Sequence, residues 1–204
     1  MYEDRKTAGR ILCEQLRSRN LSPDVVLAVP PGGVNVAHPI REHFDADLGL
    51  IVSEPIRPPS SPDMPVGAVA DTGVSWIDET LVSAFGVDSE KLDIEKQRAF
   101  RDARNKHEVY DELAGEPTPE GTVAIIEEGI VNEMTTKASL SAINQVDGCR
   151  SVAAAPMAVP HAAADVCSHA DEVVVDETLS DSRVLEQFYE HFGGAVAPDQ
   201  LPSE

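Results

Sequence analysis

Two adjacent carboxylates, Glu127 and Glu128, stand directly after the apolar run 123–126 and directly before Gly129. A continuous apolar run of this length is typical of a buried parallel strand, and ligands bind at the carboxyl ends of such strands. Carboxylates in that position can accept hydrogen bonds from a sugar diol or ligate a hydrated divalent cation. The alternative is a pair of solvated acids in an acidic protein. Their place at a strand end favours a binding site.

A pair of glycines stands at the end of another apolar run. The run 24–29 is followed by Pro30, Pro31, Gly32 and Gly33, and a helical pattern comes next. Paired glycines before a helix let the backbone approach an anion closely and offer it free N–H groups. The alternative is a strand-to-helix turn that simply needs a positive φ.

Both segments belong to an alternation of strands and helices. Short apolar runs predict buried strands, and apolar residues at helical spacing predict the helices between them. The predicted strands are 24–29, 48–52, 123–126, 151–155 and 172–175, and the predicted helices are 4–19, 34–44, 134–146 and 160–167. Strands of this kind form a parallel sheet that is covered on both faces, so the sequence predicts an α/β fold.

The chain between the second and third predicted strands is an insertion, at about residues 54–115. Prolines interrupt its first part, where they predict a long loop. The predicted elements are, in order, this loop at 55–65, a hairpin of 66–70 and 74–77 around Gly73, and helices at 79–85 and 89–113.

The charge of the chain excludes some classes of partner. Its 204 residues carry 16 Lys and Arg against 36 Asp and Glu, a formal net charge of −20. Such a field repels nucleic acid and anionic membrane surfaces. No apolar run reaches the roughly 20 residues that a bilayer requires, and residues 1–5 lack the order of a signal peptide. We therefore expect a cytoplasmic protein of one domain, 1–204, with an acidic, halophilic composition.

The segment 127–135 resembles the phosphoribosyl pyrophosphate (PRPP) loop of type I phosphoribosyltransferases. That loop has two Asp, a Gly, two variable residues and then Thr-Gly-x-Thr. Four further segments, 4–16, 26–37, 66–70 and 122–130, resemble a subgroup of predicted phosphoribosyltransferases. The resemblance implies the type I phosphoribosyltransferase fold, a central and mostly parallel five-stranded sheet with helices on both faces. It also implies that the insertion 54–115 is a small hood with a hairpin over the site.

The resemblance assigns roles to residues of this chain. In the family the acidic pair holds the ribose hydroxyls, the loop backbone cradles the 5-phosphate, and the loop after the first strand meets pyrophosphate with Mg²⁺ between. Glu127 and Glu128 match the acidic pair, with Mg²⁺ as a cofactor they could help to hold, and Thr135 matches the last Thr. The expected substrate-binding residues are Pro31, Gly32, Gly33, Glu127, Glu128, Gly129, Asn132, Glu133, Thr135 and Thr136.

Several positions depart from the family pattern. Asn132 stands where Thr is usual, Glu133 replaces a Gly, Pro31 replaces an Arg, and Glu54 and Pro55 replace a basic pair. Each change removes positive charge, removes an N–H donor or adds a carboxylate where the family binds phosphate. A carboxylate about 5 Å from a doubly charged phosphate costs on the order of 6 kcal/mol at an effective dielectric of about 20. We therefore expect weakened or lost activity.

Two functions from different classes follow from these residues. One is PRPP-dependent glycosyl transfer to a nucleobase or related nitrogen nucleophile, weakened or lost in this chain, which needs no side-chain nucleophile. The other is a non-catalytic protein of the same fold that binds a nucleotide, a metal ion or a protein partner. A weaker hypothesis is a divalent-cation site of Glu127, Glu128 and Glu133. The sequence does not identify the acceptor base. It also leaves open whether the protein forms a homodimer, with the helix 89–113 at the interface.

Overall fold

The computed structural model describes residues 1–179 and 185–191. The described strands are β1 (Val25–Ala28), β2 (Asp47–Leu50), β3 (Ser53–Ile56), β4 (Gly67–Ala70), β5 (Ser75–Ile77), β6 (Thr122–Ile126), β7 (Arg150–Ala158) and β8 (Glu172–Thr178). The described α-helices are α1 (Arg5–Ser18), α2 (Gly32–Phe44), α3 (Glu79–Ala84), α4 (Ser89–Tyr110), α5 (Glu133–Ile143) and α6 (Pro160–Val166). Short 3-10 helices lie at Asp111–Leu113 and Leu185–Phe188.

The central sheet contains five of the described strands in the order β2-β1-β6-β7-β8. All its neighbours pair in parallel, and Leu27 of β1 lies opposite Ile125 of β6. Every residue of β1 is buried, as expected for a strand covered on both faces. The predicted α/β fold with a five-stranded parallel sheet is confirmed. Because β1 and β6 run side by side in one direction, the segments that follow them meet at one edge of the sheet.

Helices cover both faces of this sheet. On one face Leu12 of α1 and Ile40 of α2 belong to a core cluster with Val26 of β1. On the other face Leu140 of α5 belongs to a cluster with Leu27. Burying a side chain of this size contributes about 1.5–3 kcal/mol relative to leaving it exposed, so the two clusters fix the helices on the sheet. None of the described helices is long and apolar enough to cross a membrane.

Four of the described helices begin after a side chain that accepts a hydrogen bond from the first turn. The capping residues of α1, α3, α4 and α5 are Asp4, Asp78, Asp88 and Asn132. At α1, the Thr7 amide N–H donates to Asp4 Oδ1 across 2.6 Å. Caps of this kind contribute about 1 kcal/mol each and explain why these helices begin close to the predicted residues.

The hood is built on a second, antiparallel sheet in the order β3-β4-β5. The predicted hairpin is confirmed as β4 and β5, with Gly73 at a φ of 89° in the turn between them. The prediction of a loop from residue 55 was wrong at its start, because Glu54 and Pro55 lie in β3 and pair with β4. Proline fits there because β3 pairs on one side only, so the missing N–H group breaks no ladder bond.

The hood sheet packs on α5, the helix that begins at the predicted binding loop. Ser53 Oγ of β3 and Ser139 Oγ of α5 share a buried hydrogen bond of 2.8 Å. Ala68 of β4 packs with Met134 and Ala138 of α5 in an apolar cluster, and Trp76 covers it. These contacts hold the hood above the edge of the sheet where β1 and β6 end.

Candidate functional site

Glu127 faces the cleft between the sheet and the hood and has a perturbed acidity. The Thr136 hydroxyl donates a hydrogen bond of 2.6 Å to Glu127 Oε1. Burial raises the pKa of the Glu127 carboxyl to about 7, although the Thr136 hydrogen bond acts in the opposite direction. Near neutral pH this carboxyl is therefore about half protonated, so it can both donate and accept hydrogen bonds.

Glu128 turns away from Glu127 and into the fold. Its Oε1 accepts a hydrogen bond of 2.7 Å from Arg5 Nε, and the two side chains are only 15% and 6% exposed. Its Oε2 occupies the space that a Cβ on Gly32 would need. The ion pair thus joins the loop after β6 to α1 and to the first residue of α2. The structure separates the two carboxylates that the sequence places side by side.

The glycine pair after β1 lies in the first turn of α2, so this helix begins two residues earlier than predicted. Neither Gly32 nor Gly33 has a positive φ, so the turn explanation was wrong. A Cβ on Gly33 would collide with the Ile126 carbonyl oxygen, and one on Gly32 would collide with Glu128. Close packing against the loop after β6 explains both glycines. Pro31 precedes them as the N-cap, without a side-chain hydrogen bond.

The start of α5 is closed by its own side chains. Asn132 Oδ1 accepts a 2.9 Å hydrogen bond from the Met134 amide, and the Thr135 hydroxyl donates to the Asn132 carbonyl across 3.2 Å. Glu133 lies partly buried in the first helical turn. Asn132 therefore takes a backbone N–H group that the family loop would offer to the 5-phosphate. At the other end of this loop, a Cβ on Gly129 would collide with Leu185.

A cavity of about 280 Å³ lies between the sheet edge, the hood and α5. Its walls are formed by Val29, Ser53, Glu54, Pro55, Arg57, Lys106, Glu127, Thr135 and Ser139. Two of the predicted substrate-binding residues, Glu127 and Thr135, therefore meet at one cavity. The others do not line it.

Two cations that the sequence analysis missed belong to this cavity. Lys106 Nζ of α4 lies 3.0 Å from Glu54 Oε1, and Arg57 lies exposed just after β3. Glu54 is thus paired with a cation instead of standing alone where the family has a basic pair. Ser139 was also missed, although it follows Thr135 by four residues and so shares its helix face.

The two predicted Mg²⁺ ligands do not fit a metal site in this arrangement. Glu127 accepts a hydrogen bond from Thr136, and Glu128 is paired with Arg5. Within the described ranges, no three His, Cys, Asp or Glu side chains are placed to hold a metal ion, so Glu133 completes no three-carboxylate site. Binding of Mg²⁺ stays a prediction of the family resemblance.

The chain is similar in sequence and in fold to known proteins. No protein-family model matches the chain. A Mycobacterium tuberculosis H37Rv protein named "Putative phosphoribosyl transferase Rv0571c" is 26% identical over 193 residues, and a protein of strain CDC 1551 named "Putative phosphoribosyl transferase MT0597" matches equally well. These matches cover 94% of this chain, which spans only 44% of the length of either relative.

Solved structures share the fold. The crystal structure of TT1426 from Thermus thermophilus superposes with a TM-score of 0.83 at 26% identity, covering 98% of this chain and 95% of that one. The structure of AQ2163 from Aquifex aeolicus shares the fold alone, with a TM-score of 0.51 at 11% identity, over 85% of this chain and 74% of that one. The chain is thus similar in sequence to proteins named putative phosphoribosyl transferases and shares its fold with these solved structures.

Proposed function

We propose that this protein binds a phosphorylated ribose ligand in the cavity between Glu127, Thr135 and the hood, and that PRPP-dependent glycosyl transfer is weakened or lost. The observation that carries this proposal is the ion pair between Arg5 and Glu128. It draws one carboxylate of the acidic pair away from the cavity. It also seats that carboxylate against Gly32, where the family resemblance expects pyrophosphate.

The remaining cavity suits a sugar monophosphate better than a sugar carrying pyrophosphate. Lys106 and Arg57 supply positive charge, and the Thr135 and Ser139 side chains lie on its α5 wall. A half-protonated Glu127 repels a phosphorylated ligand less than an ionised carboxylate would and can hydrogen-bond a ribose hydroxyl. A volume of about 280 Å³ lies just below the range of about 300–1,000 Å³ usual for small-molecule pockets.

Glycosyl transfer in this family would break the bond from the anomeric carbon to the pyrophosphate oxygen and form one to a nitrogen nucleophile. Its catalysis consists of positioning and of stabilising charge on the sugar and on the leaving pyrophosphate. Here the space at Gly32 contains a carboxylate, which opposes the negative charge that develops on pyrophosphate. The nitrogen nucleophile in the proposed transfer is a nucleobase or a related compound. The same ion pair supports a non-catalytic role in nucleotide binding as the second candidate function.

Calorimetric titration in multimolar KCl tests this proposal, with ribose 5-phosphate and with PRPP plus Mg²⁺ as ligands. We expect the two to bind with dissociation constants within about threefold of each other, since the pyrophosphate group gains no contact. Lys106→Gln should weaken both, whereas Arg101→Gln, an exposed change on the same helix outside the cavity wall, should weaken neither. Micromolar binding of PRPP with Mg²⁺ but not of ribose 5-phosphate would refute the loss of activity. Transfer to a nucleobase at ordinary enzyme rates would refute it as well. Failure of both ligands to bind would refute the site.

A further inference from the structure

A second cavity, of about 270 Å³, lies at the base of the hood. It adjoins Ile51 and Asp71, whereas the first cavity adjoins Ser53, and the two share no lining residue. The Asp71 amide donates to the Val52 carbonyl across 2.8 Å, so the backbone between the cavities is tied to the hood. The second cavity is therefore a separate feature of the fold.

One wall of this cavity is aliphatic. Leu27 lies in β1, Ile51 follows β2, Ile143 ends α5, and Pro117 and Pro119 come from the segment before β6. The Leu27, Ile51 and Ile143 side chains are almost fully buried, so the partly exposed Pro117 and Pro119 offer the accessible apolar surface of this wall. A branched aliphatic group placed here would leave water for an apolar surface, which favours binding.

The polar wall is held in place by Asp71 and His107. Asp71 is buried, and its Oδ2 accepts a hydrogen bond of 3.0 Å from the Val52 amide and contacts His107 Nδ1. His107 Nε2 lies 3.8 Å from Asp111. Both side chains thus have partners in the fold. They fix α4 against the base of the hood and so fix Arg104, which precedes His107 by one helical turn on the same face.

Arg104 and Glu116 carry opposite charges on different walls of this cavity. Both are exposed, and within the described part of the chain neither forms an ion pair with the other or with another side chain. Arg104 presents a guanidinium that can bind a carboxylate through two parallel hydrogen bonds. Glu116 presents an acceptor for an ammonium group. One cation, one anion and an aliphatic wall fit a small zwitterion.

We propose that this second cavity binds an aliphatic α-amino acid in its zwitterionic form. Arg104 binds the carboxylate, Glu116 accepts hydrogen bonds from the ammonium group, and the side chain lies against the wall that carries Pro117 and Pro119. A simple organic acid would use Arg104 and the aliphatic wall equally well but would face repulsion from Glu116. The amino acid satisfies both charges. This assignment does not depend on the phosphoribosyl ligand of the first cavity.

Titration of the full chain with L-leucine, followed by NMR chemical shifts and calorimetry, tests this assignment. Leucinamide lacks the carboxylate and 4-methylpentanoate lacks the ammonium group, and each should bind about tenfold more weakly than leucine, as expected for losing one charged hydrogen-bonding partner. Arg104→Gln should weaken leucine about tenfold and leave leucinamide unchanged. Arg101→Gln is the matched control and should behave as the wild type.

Several outcomes would overturn the assignment. If leucine up to about 10 mM causes no saturable change in NMR chemical shifts, aliphatic amino acids are excluded as ligands of this cavity. Equal affinity for leucine and 4-methylpentanoate would make the cavity an organic-acid site and exclude the role of Glu116. Equal leucine affinity in Arg104→Gln and Arg101→Gln would exclude the role of Arg104. Ribose 5-phosphate titrations of Arg104→Gln report on the first cavity independently and should match the wild type.

Discussion

Arg5 and Glu128 form an ion pair in which Nε and Oε1 are 2.7 Å apart and both side chains are largely buried. The pair joins residues 123 positions apart in the sequence and gives the loop after β6 a fixed direction. Taking both charges out of water is costly, and their short contact offsets part of that cost, so removing one partner alone costs more than replacing both. Its position explains why a loop that resembles a PRPP loop presents only one of its two acidic residues to the cavity.

Removing one partner of this pair should destabilise the protein strongly. Arg5→Gln leaves the largely buried Glu128 carboxylate without its 2.7 Å partner, and Glu128→Gln removes this contact from Arg5, so we expect each to lower the free energy of unfolding by about 3 kcal/mol. Arg5→Met combined with Glu128→Met should recover much of that loss. Urea unfolding at fixed KCl measures these values. Losses below about 1 kcal/mol in both single variants would mean that the pair is no stronger than a surface salt bridge.

The raised pKa of Glu127 makes stability depend on pH. The pKa is about 7 in the folded state and 4.5 for an ordinary Glu, so the folded state holds its proton over a range where the unfolded chain has lost it. The contribution of Glu127 to stability should therefore be highest below about pH 4.5, fall as the pH rises, and level off above about pH 7. Allowing for its partial exposure, the contribution is about 2 kcal/mol. Glu127→Gln should flatten this part of the profile, and an unchanged slope in that variant would assign it to other groups.

The affinity for ribose 5-phosphate should also depend on whether Glu127 is protonated. Ionised Glu127 opposes a phosphorylated ligand in the first cavity, so the affinity for ribose 5-phosphate should fall between about pH 6 and pH 8. The ligand's own phosphate also titrates near pH 6, so the wild type must be compared with Glu127→Gln, which removes the protein's contribution only. Calorimetry at several pH values measures the difference. Parallel pH profiles for the two proteins would contradict the role of Glu127.

Much of the fold was predictable because its signals are local. Buried parallel strands are apolar along their whole length, and several helices start at an Asp or Asn cap, so the sheet and its helices follow from short stretches of sequence. Strand β3 was missed because Pro55 usually ends a strand, and only its edge position permits it. In the site, Glu127 and Thr135 stand on either side of one short loop and were found together. Lys106 was missed because tertiary packing alone brings it to Glu54, which lies 52 residues away.

Returning the start of α5 to the family pattern should strengthen phosphate binding. Asn132→Thr replaces the capping amide oxygen with a hydroxyl oxygen that can accept the same hydrogen bond, so stability should change by only a few tenths of a kcal/mol, whereas Asn132→Ala should cost about 1 kcal/mol. Glu133→Gly removes a carboxylate from the first turn of α5. The double variant Asn132→Thr with Glu133→Gly should bind ribose 5-phosphate at least about tenfold more tightly than the wild type. Calorimetry decides this, with Glu120→Gly, an exposed change before β6, as the control for loss of one negative charge. An equal gain in affinity in the double variant and in Glu120→Gly would show that the effect comes only from the change in net charge.

The buried hydrogen bond between Ser53 and Ser139 should couple the hood to α5. Ser139→Ala leaves the Ser53 hydroxyl buried without its partner, and Ser53→Ala does the reverse, so each should lower the free energy of unfolding by about 1–3 kcal/mol. Replacing both removes the pair together and should cost less than the sum of the single changes. Amide hydrogen exchange gives a second measurement, because Val69 in β4 should lose protection in the single variants if the bond holds the hood in place. Additive losses in the double variant would show that the two hydroxyls contribute independently, and the apolar contacts of Ala68, Met134 and Ala138 would then be what fixes the hood.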